Sequence, residues 1–372
     1  MTLLPSPAAF LPDEALTLIS THAGFAEAQG RLAEEVVDLV YREGWFRLLA
    51  PKRLGGMALP LPQVVRLEEG LAYADGSLGW VVTLCSGAGW FGGFLPAGQF
   101  DQLFADPRLC IAGSGSTTGE ARMVDGEYWV NGSWAYASGI PFATAYTANC
   151  VLWRDGSRVI GGDGNPVVRP FLFLPGEVKV RDDWQAMGLV ATESHGFFVK
   201  DLILGAERSF IIDPAAATDT DPLYQYPFLP LAEATLAANL SGMAQHFLDC
   251  CEPYFDRRPM PEAVAMLAAA RAELDGTRGE FYRALDLSWE AVVRGVSEPG
   301  NSATLSGERP ALSGDAVFTE LGSLSHQLAA KVRKWVDALY PYAGLGAAGF
   351  HTEINRVWRD LHTAGQHPLL VF

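Results

Sequence analysis

Cysteine and histidine are scarce, five and seven among 372 residues. The cysteines, at positions 85, 110, 150, 250 and 251, form no CxxC pair and no regular framework. That excludes a disulfide scaffold and makes a reducing cytoplasm the expected compartment. No HExxH and no carboxylate–histidine cluster can be read along the chain, so no metal site is expected. Basic residues are outnumbered, 27 Lys plus Arg against 43 Asp plus Glu, for a net charge of −16. A chain so acidic lacks the basic face that nucleic-acid phosphates require. The opening MTLLPSPAAFLPDE has no basic stretch and no long apolar run, so no secretion signal is expected. Between Asp75 and Asp101 no charge occurs, a length that would span a bilayer. Its part from Ser77 to Phe100 contains six glycines, a proline and several hydroxyls, which suits a buried helix lining a cavity better than a membrane span.

Apolar residues make up 49% and charged residues 19%, enough to bury a large core and to exclude wholesale disorder. Leu32, Val36, Leu39 and Val40 recur at helical spacing, with Gly44 as the stop. Val64, Leu67, Leu71 and Ala74 make a second stripe, with Glu68 and Glu69 expected off that face. From about 108 to 212 the period falls to two. Asp125-Gly126 and Asp155-Gly156 sit between strand-like runs, as two-residue hairpin turns require. A β-barrel or sandwich is expected there. Helical spacing returns at 231–252 and 261–295, and a polar, exposed loop is expected over 297–314. Val317, Leu321, Leu324, Leu328, Val332, Trp335 and Leu339 then alternate spacings of three and four, as in a bundle helix. The expected fold class is α+β: helices over 1–106, a β-domain over 107–215 and a helix bundle over 216–372.

EGWFRLLAPKRLGG with LEEGLAYADGSLGW, then GEYWVNGSWAYASG, DDWQAMGLVATESHGFFVKDLIL and NRVWRDLHTAGQH, resemble in order the motifs of the acyl-CoA dehydrogenase superfamily. WxxxSG at 134–139, Ser194-His195 and the WRD…QH ending look most like the two-component flavin monooxygenases. The resemblance implies an N-terminal helical domain, a middle β-barrel and a C-terminal antiparallel four-helix bundle, assembled as a homotetramer. It implies a flavin, FAD or FMN supplied reduced by a separate NAD(P)H flavin reductase, and a small aromatic or heteroatom substrate. The runner-up is an acyl-CoA dehydrogenase with a relocated base, since Ala364-Gly365-Gln366-His367 carries no carboxylate. A flavin-binding member without turnover is the third reading.

By the same resemblance Ser138 lies at the reactive edge of the flavin, as a hydroxyl that stabilises negative charge, with a serine in a strand-end turn as its alternative. His367 lies beside the ring as a proton donor, with a structural histidine as its alternative. Tyr136 is expected on a strand, packed on the ring, with an ordinary strand aromatic as its alternative. GSGSTTG at 113–119 lacks the Gly-Lys-Ser/Thr ending of a phosphate loop, so nucleotide hydrolysis is not expected. It resembles the loop whose amides reach the flavin, with Ser114 as the side-chain contact, and a plain turn is the alternative. Gly344, Gly346 and Gly349 match GxGxxG, but after a helix, so they resemble a turn near the cofactor and not a dinucleotide fingerprint. Trp184 either covers the flavin or packs in the β-domain. Arg359 and Asp360 are read as an ion pair anchoring the last helix, and Met187 as core.

Overall fold

The computed structural model describes residues 4–257, 260–297 and 314–371. The interior of the expected 297–314 loop lies outside them. Five helices come first: α1 (Asp13–Gln29), α2 (Glu34–Glu43), α3 (Leu61–Ala74), α4 (Gly76–Trp90) and the short α5 (Asp101–Ala105). Gly30 and Gly44 end α1 and α2 at φ 68° and 70°, the left-handed cap that glycine takes without strain. Asp75 caps α4 by accepting the Leu78 amide at 2.7 Å. After the sheet come α6 (Phe228–Arg257), α7 (Pro261–Ser297), α8 (Gly314–Leu339) and α9 (Glu353–Ala364).

The helices from both ends of the chain share one core. Val65 of α3, Leu240 of α6 and Leu328 of α8 are fully buried in it. Close approach of α3 and α6 depends on Gly242, where a Cβ would stand 2.2 Å from the Glu69 carbonyl oxygen. Because α3 is enclosed all round, Glu68 and Glu69 are not off its apolar face as expected but buried. Glu69 is paid for by pairing: it accepts from Arg278 at 2.7 and 2.8 Å, Ser241 at 2.6 Å and Tyr282 at 2.6 Å. Glu68 accepts from Ser86 at 3.2 Å and has a second oxygen without a partner, and burial, outweighing the hydroxyls of Ser86 and Thr83, pushes its pKa up to about 8. The uncharged run before Asp101 forms α4, buried on nearly every side. Among the described residues no helix is long and apolar enough to cross a membrane.

Between the helical runs lie β1 (Ile111–Val124), β2 (Glu127–Trp134), β3 (Ala145–Arg154), β4 (Ser157–Arg158), β5 (Val168–Phe173), β6 (Lys179–Val180) and β7 (Phe197–Gly205). They form one sheet ordered β4-β3-β1-β2-β7-β6, with β5 also on β3. Asp125-Gly126 and Asp155-Gly156 turn the expected hairpins, all four residues at positive φ. β1 and β3 are parallel, and the remaining pairings are antiparallel. The expected barrel is not closed: among the described residues the two-residue strands β4 and β6 end the sheet without meeting. Trp134, Phe171, Phe173 and Phe197 fill a second core on its inner face.

Candidate active site

The WAYASG motif lies where β2 stops. Tyr136 is not on the strand, as expected, because β2 ends at Trp134. It stands at φ +66° and 71% exposed, in the left-handed region that a bulky residue adopts only under constraint. Ser138 is held between two backbone bonds, Ala137 N–H to the His195 carbonyl at 3.1 Å and Gly139 N–H to the Thr192 carbonyl at 2.9 Å. Beneath Gly139 lie Val81 and Cys85 of α4, and the Cys85 thiol donates to the Ser138 carbonyl at 3.5 Å.

A row of buried hydroxyls starts at Ser138. Its Oγ is 2.8 Å from Ser194 Oγ, which is 2.6 Å from Thr192 Oγ1. Thr192 donates to the Leu189 carbonyl at 2.8 Å, and the Trp184 indole donates to the same oxygen at 3.1 Å. Leu189 is itself anchored, its amide donating to Asp360 Oδ1 at 2.5 Å. Arg359 donates to the Met187 carbonyl at 2.6 Å and pairs with Glu27 of α1. Arg359 and Asp360 therefore do not pair with each other, because successive helix residues point apart. Each ties α9 to another part of the fold. Gly188 permits the contact, since a Cβ there would fall 2.2 Å from the Arg359 carbonyl. Burial first, then the nearby Asp75, pushes Asp360 up to about 7.

His195 Nδ1 accepts the amides of Asp183 and Trp184, both at 3.0 Å, which sets the turn carrying Trp184. The half-buried Trp184 ring meets Tyr136 edge-on at 6.1 Å. Met187, expected in the core, is half exposed, its carbonyl held by Arg359. Sequence reasoning had quoted Thr192, Ser194 and His195 only as a motif. The cluster of hydroxyls in VATESHG was the available signal for their connection.

The remaining expected contacts are dispersed. Ser114 lies inside β1 and not in a loop or turn, because the small residues continue the strand. Pairing with β3 nevertheless shifts register between Ser114 and Gly119, and residues 115–118 are exposed there. Gly344 and Gly346 occupy the turn between α8 and α9, Gly344 at φ +74°, with no neighbour within 4 Å of a Cβ at either. Leu345 is 90% exposed and Phe350 77%, and the Arg359 guanidinium lies 5.1 Å over the Phe350 ring. His367 caps the last turn, its Nδ1 accepting the Leu369 amide at 3.3 Å, and burial lowers its pKa. The neutral ring then keeps its proton on Nε2. Its ring packs edge-on to Trp80 of α4 at 5.9 Å. His367 thus meets α4 at Trp80, and the Ser138 segment meets the same helix at Val81 and Cys85.

These features suit a flavin. Tyr136 and Trp184 offer exposed aromatic surface, Ser138 a hydroxyl, residues 115–118 an uncovered stretch of strand, and Arg359 Nη2 is a buried donor without a partner. A metal suits the structure less well. His246, Cys250 and Glu353, far apart in sequence, do bring ligand atoms within 4.8 Å of one another. Burial raises the Cys250 thiol pKa, however, and the Arg356 guanidinium stands 3.6 Å from Glu353.

No protein-family model matches the chain. It is 26% identical over 369 residues to the oxygenase subunit HsaA of a flavin-dependent monooxygenase from Mycobacterium tuberculosis, covering 95% of this chain and 89% of that one. To an indole-3-acetate monooxygenase from Pseudomonas putida it is 27% identical over 289 residues, 74% and 72% of the two chains. The crystal structure of 3-HSA hydroxylase from Rhodococcus sp. RHA1 superposes with a TM-score of 0.84 at 22% identity, covering 96% of this chain and 91% of that one. The class these relatives define is a flavin-dependent oxidoreductase, on the acyl-CoA dehydrogenase-like fold. Within it, HsaA is the oxygenase subunit of a flavin-dependent monooxygenase, the branch that the motifs resemble.

Proposed function

We propose that the chain is the oxygenase component of a two-component monooxygenase that hydroxylates a small aromatic substrate. Reduced FAD or FMN would come from a separate NAD(P)H flavin reductase. The carrying observation is the alignment of 95% of the chain with an oxygenase subunit. The bound flavin would supply the electrons that activate dioxygen. The chain's own residues do the rest. Tyr136 and Trp184 present the aromatic face, Ser114 and the turn at Gly344 and Gly346 add contacts, and Ser138 hydrogen-bonds the reactive edge. His367 holds its proton on Nε2 for delivery, and the apolar α4 excludes water, which strengthens each polar contact. The segments 1–106, 107–215 and 216–372 act as three domains in a homotetramer, whose assembly would cover Leu345 and Phe350. Five free cysteines suit a reducing cytoplasm.

The test supplies the purified protein with enzymatically reduced flavin, ¹⁸O₂ and a panel of phenols and indoles. Labelled hydroxyl in a product is the expected result. Anaerobic bleaching of oxidised flavin by an acyl-CoA, without oxygen incorporation, would overturn the proposal in favour of a dehydrogenase.

A further inference from the structure

The order of protons along the hydroxyl row follows from its inner end. Thr192 Oγ1 donates to the Leu189 carbonyl at 2.8 Å, an oxygen that cannot donate in return and that also accepts the Thr192 amide at 3.2 Å. Thr192 then has none for Ser194, and Ser194 must donate to Thr192 across the 2.6 Å contact. Ser194 is spent in turn, and Ser138 must donate to Ser194 across the 2.8 Å contact. With that order the Ser138 hydrogen points toward Ser194, and lone pairs remain on the other side of the buried Ser138 oxygen.

We infer that Ser194 and Thr192 are positioning residues that fix Ser138 as a hydrogen-bond acceptor and so make the site select reduced flavin over oxidised flavin. The inference rests on the flavin reading above. Reduced flavin carries a hydrogen on N5 and donates there, whereas the oxidised ring has a lone pair at N5 and accepts. An acceptor-only Ser138 bonds the first and opposes the second. The far end of the row is immobilised, because Leu189 is held at its amide by Asp360 and its carbonyl also takes the Trp184 indole. The hydroxyls consequently cannot reverse without breaking the Leu189 bond.

The test measures dissociation constants of oxidised FAD and of dithionite-reduced FAD under anaerobic conditions, with FMN in a second series. Wild type should hold the reduced form more tightly. In Ser194→Ala the Ser138 hydrogen is released to face the site, so oxidised flavin should bind about tenfold more tightly and reduced flavin about as before. The midpoint potential of the bound flavin should fall by about 30 mV, a tenfold change for a two-electron couple. Ser194→Thr, which keeps a hydroxyl, should preserve the wild-type ratio. Thr192→Val, which removes the terminal donor, should move the ratio in the same direction as Ser194→Ala and serves if that variant does not fold. An unchanged ratio in a folded Ser194→Ala or Thr192→Val protein would overturn the inference and leave the flavin reading standing. Failure of wild type to bind either flavin would sink the flavin reading itself.

Discussion

Two buried polar networks in this protein are built on opposite plans. Around Glu69 the network is closed: both carboxylate oxygens meet Arg278, and Ser241 and Tyr282 complete them. Around Ser138 the network is open: one end is anchored on Leu189, and the other ends at the Ser138 hydroxyl, whose only side-chain partner among the described residues is Ser194. A closed network can hold charge inside helices because every desolvated atom finds a partner. An open one is tolerable only with neutral hydroxyls, whose spare lone pairs are cheap to bury. That difference separates scaffold from site, and each of the following experiments probes it.

The largest effect should come from opening the closed network. Arg278→Met leaves Glu69 charged and unpaired, and should destabilise the fold by about 3–5 kcal/mol in urea unfolding. Adding Glu69→Leu should recover much of the loss, and failure to do so would mean that the pair does more than neutralise itself.

Truncation of the apolar core beside that network should cost nearly as much. Leu328→Ala should destabilise by about 2–5 kcal/mol, since Leu328 is fully buried among α6, α7 and α8. A change of a few tenths would refute the packing of that seam.

Glu68, adjacent to Glu69 but half-satisfied, gives a pH test. Its folded pKa of about 8 lies above the unfolded carboxyl value, so the folded state keeps a proton that the unfolded state releases. Stability is therefore favoured at low pH and declines as pH rises toward 8, with a limiting slope of about 1.4 kcal/mol per pH unit from this group. Glu68→Gln should remove that decline. Parallel stability curves for variant and wild type between pH 5 and 7 would show that Glu68 is not buried as a neutral acid.

At the open site, His367→Ala should fold and bind reduced flavin, yet release at least about ten times more hydrogen peroxide per product, equivalent to roughly 1.4 kcal/mol. His362→Ala should couple oxygen to product like wild type. His362 stands 2.9 Å from Asp337 and packs on Trp358. Equal coupling in both variants would remove His367 from the active site.

Local grammar explains how much was legible beforehand. The Asp-Gly turns, the Gly44 stop and the Leu321–Leu328–Trp335 seam each depend on neighbours a few residues away; the turns and the stop stand in the structure, and of the seam Leu321 and Leu328 are fully buried while Trp335 is half-buried. The ordered motifs likewise led to the right relatives. Tyr136 and Ser114 were placed on the wrong kind of backbone, because a strand's end and a lapse in pairing depend on the partner strand. Glu68 and Glu69 were misread because α3 has neighbours on every side, which a single-helix stripe cannot reveal.

Sequence alone therefore determined the succession of helices, strands and helices, the hairpins and the family resemblance, since period and turn chemistry are short-range properties. Tertiary structure decided which carboxylates are buried and that the hydroxyls of Thr192, Ser194 and Ser138 meet in one row. Those depend on the Leu189 carbonyl and on Asp360, 171 residues beyond Leu189, and only folding brings donor and acceptor within hydrogen-bond distance.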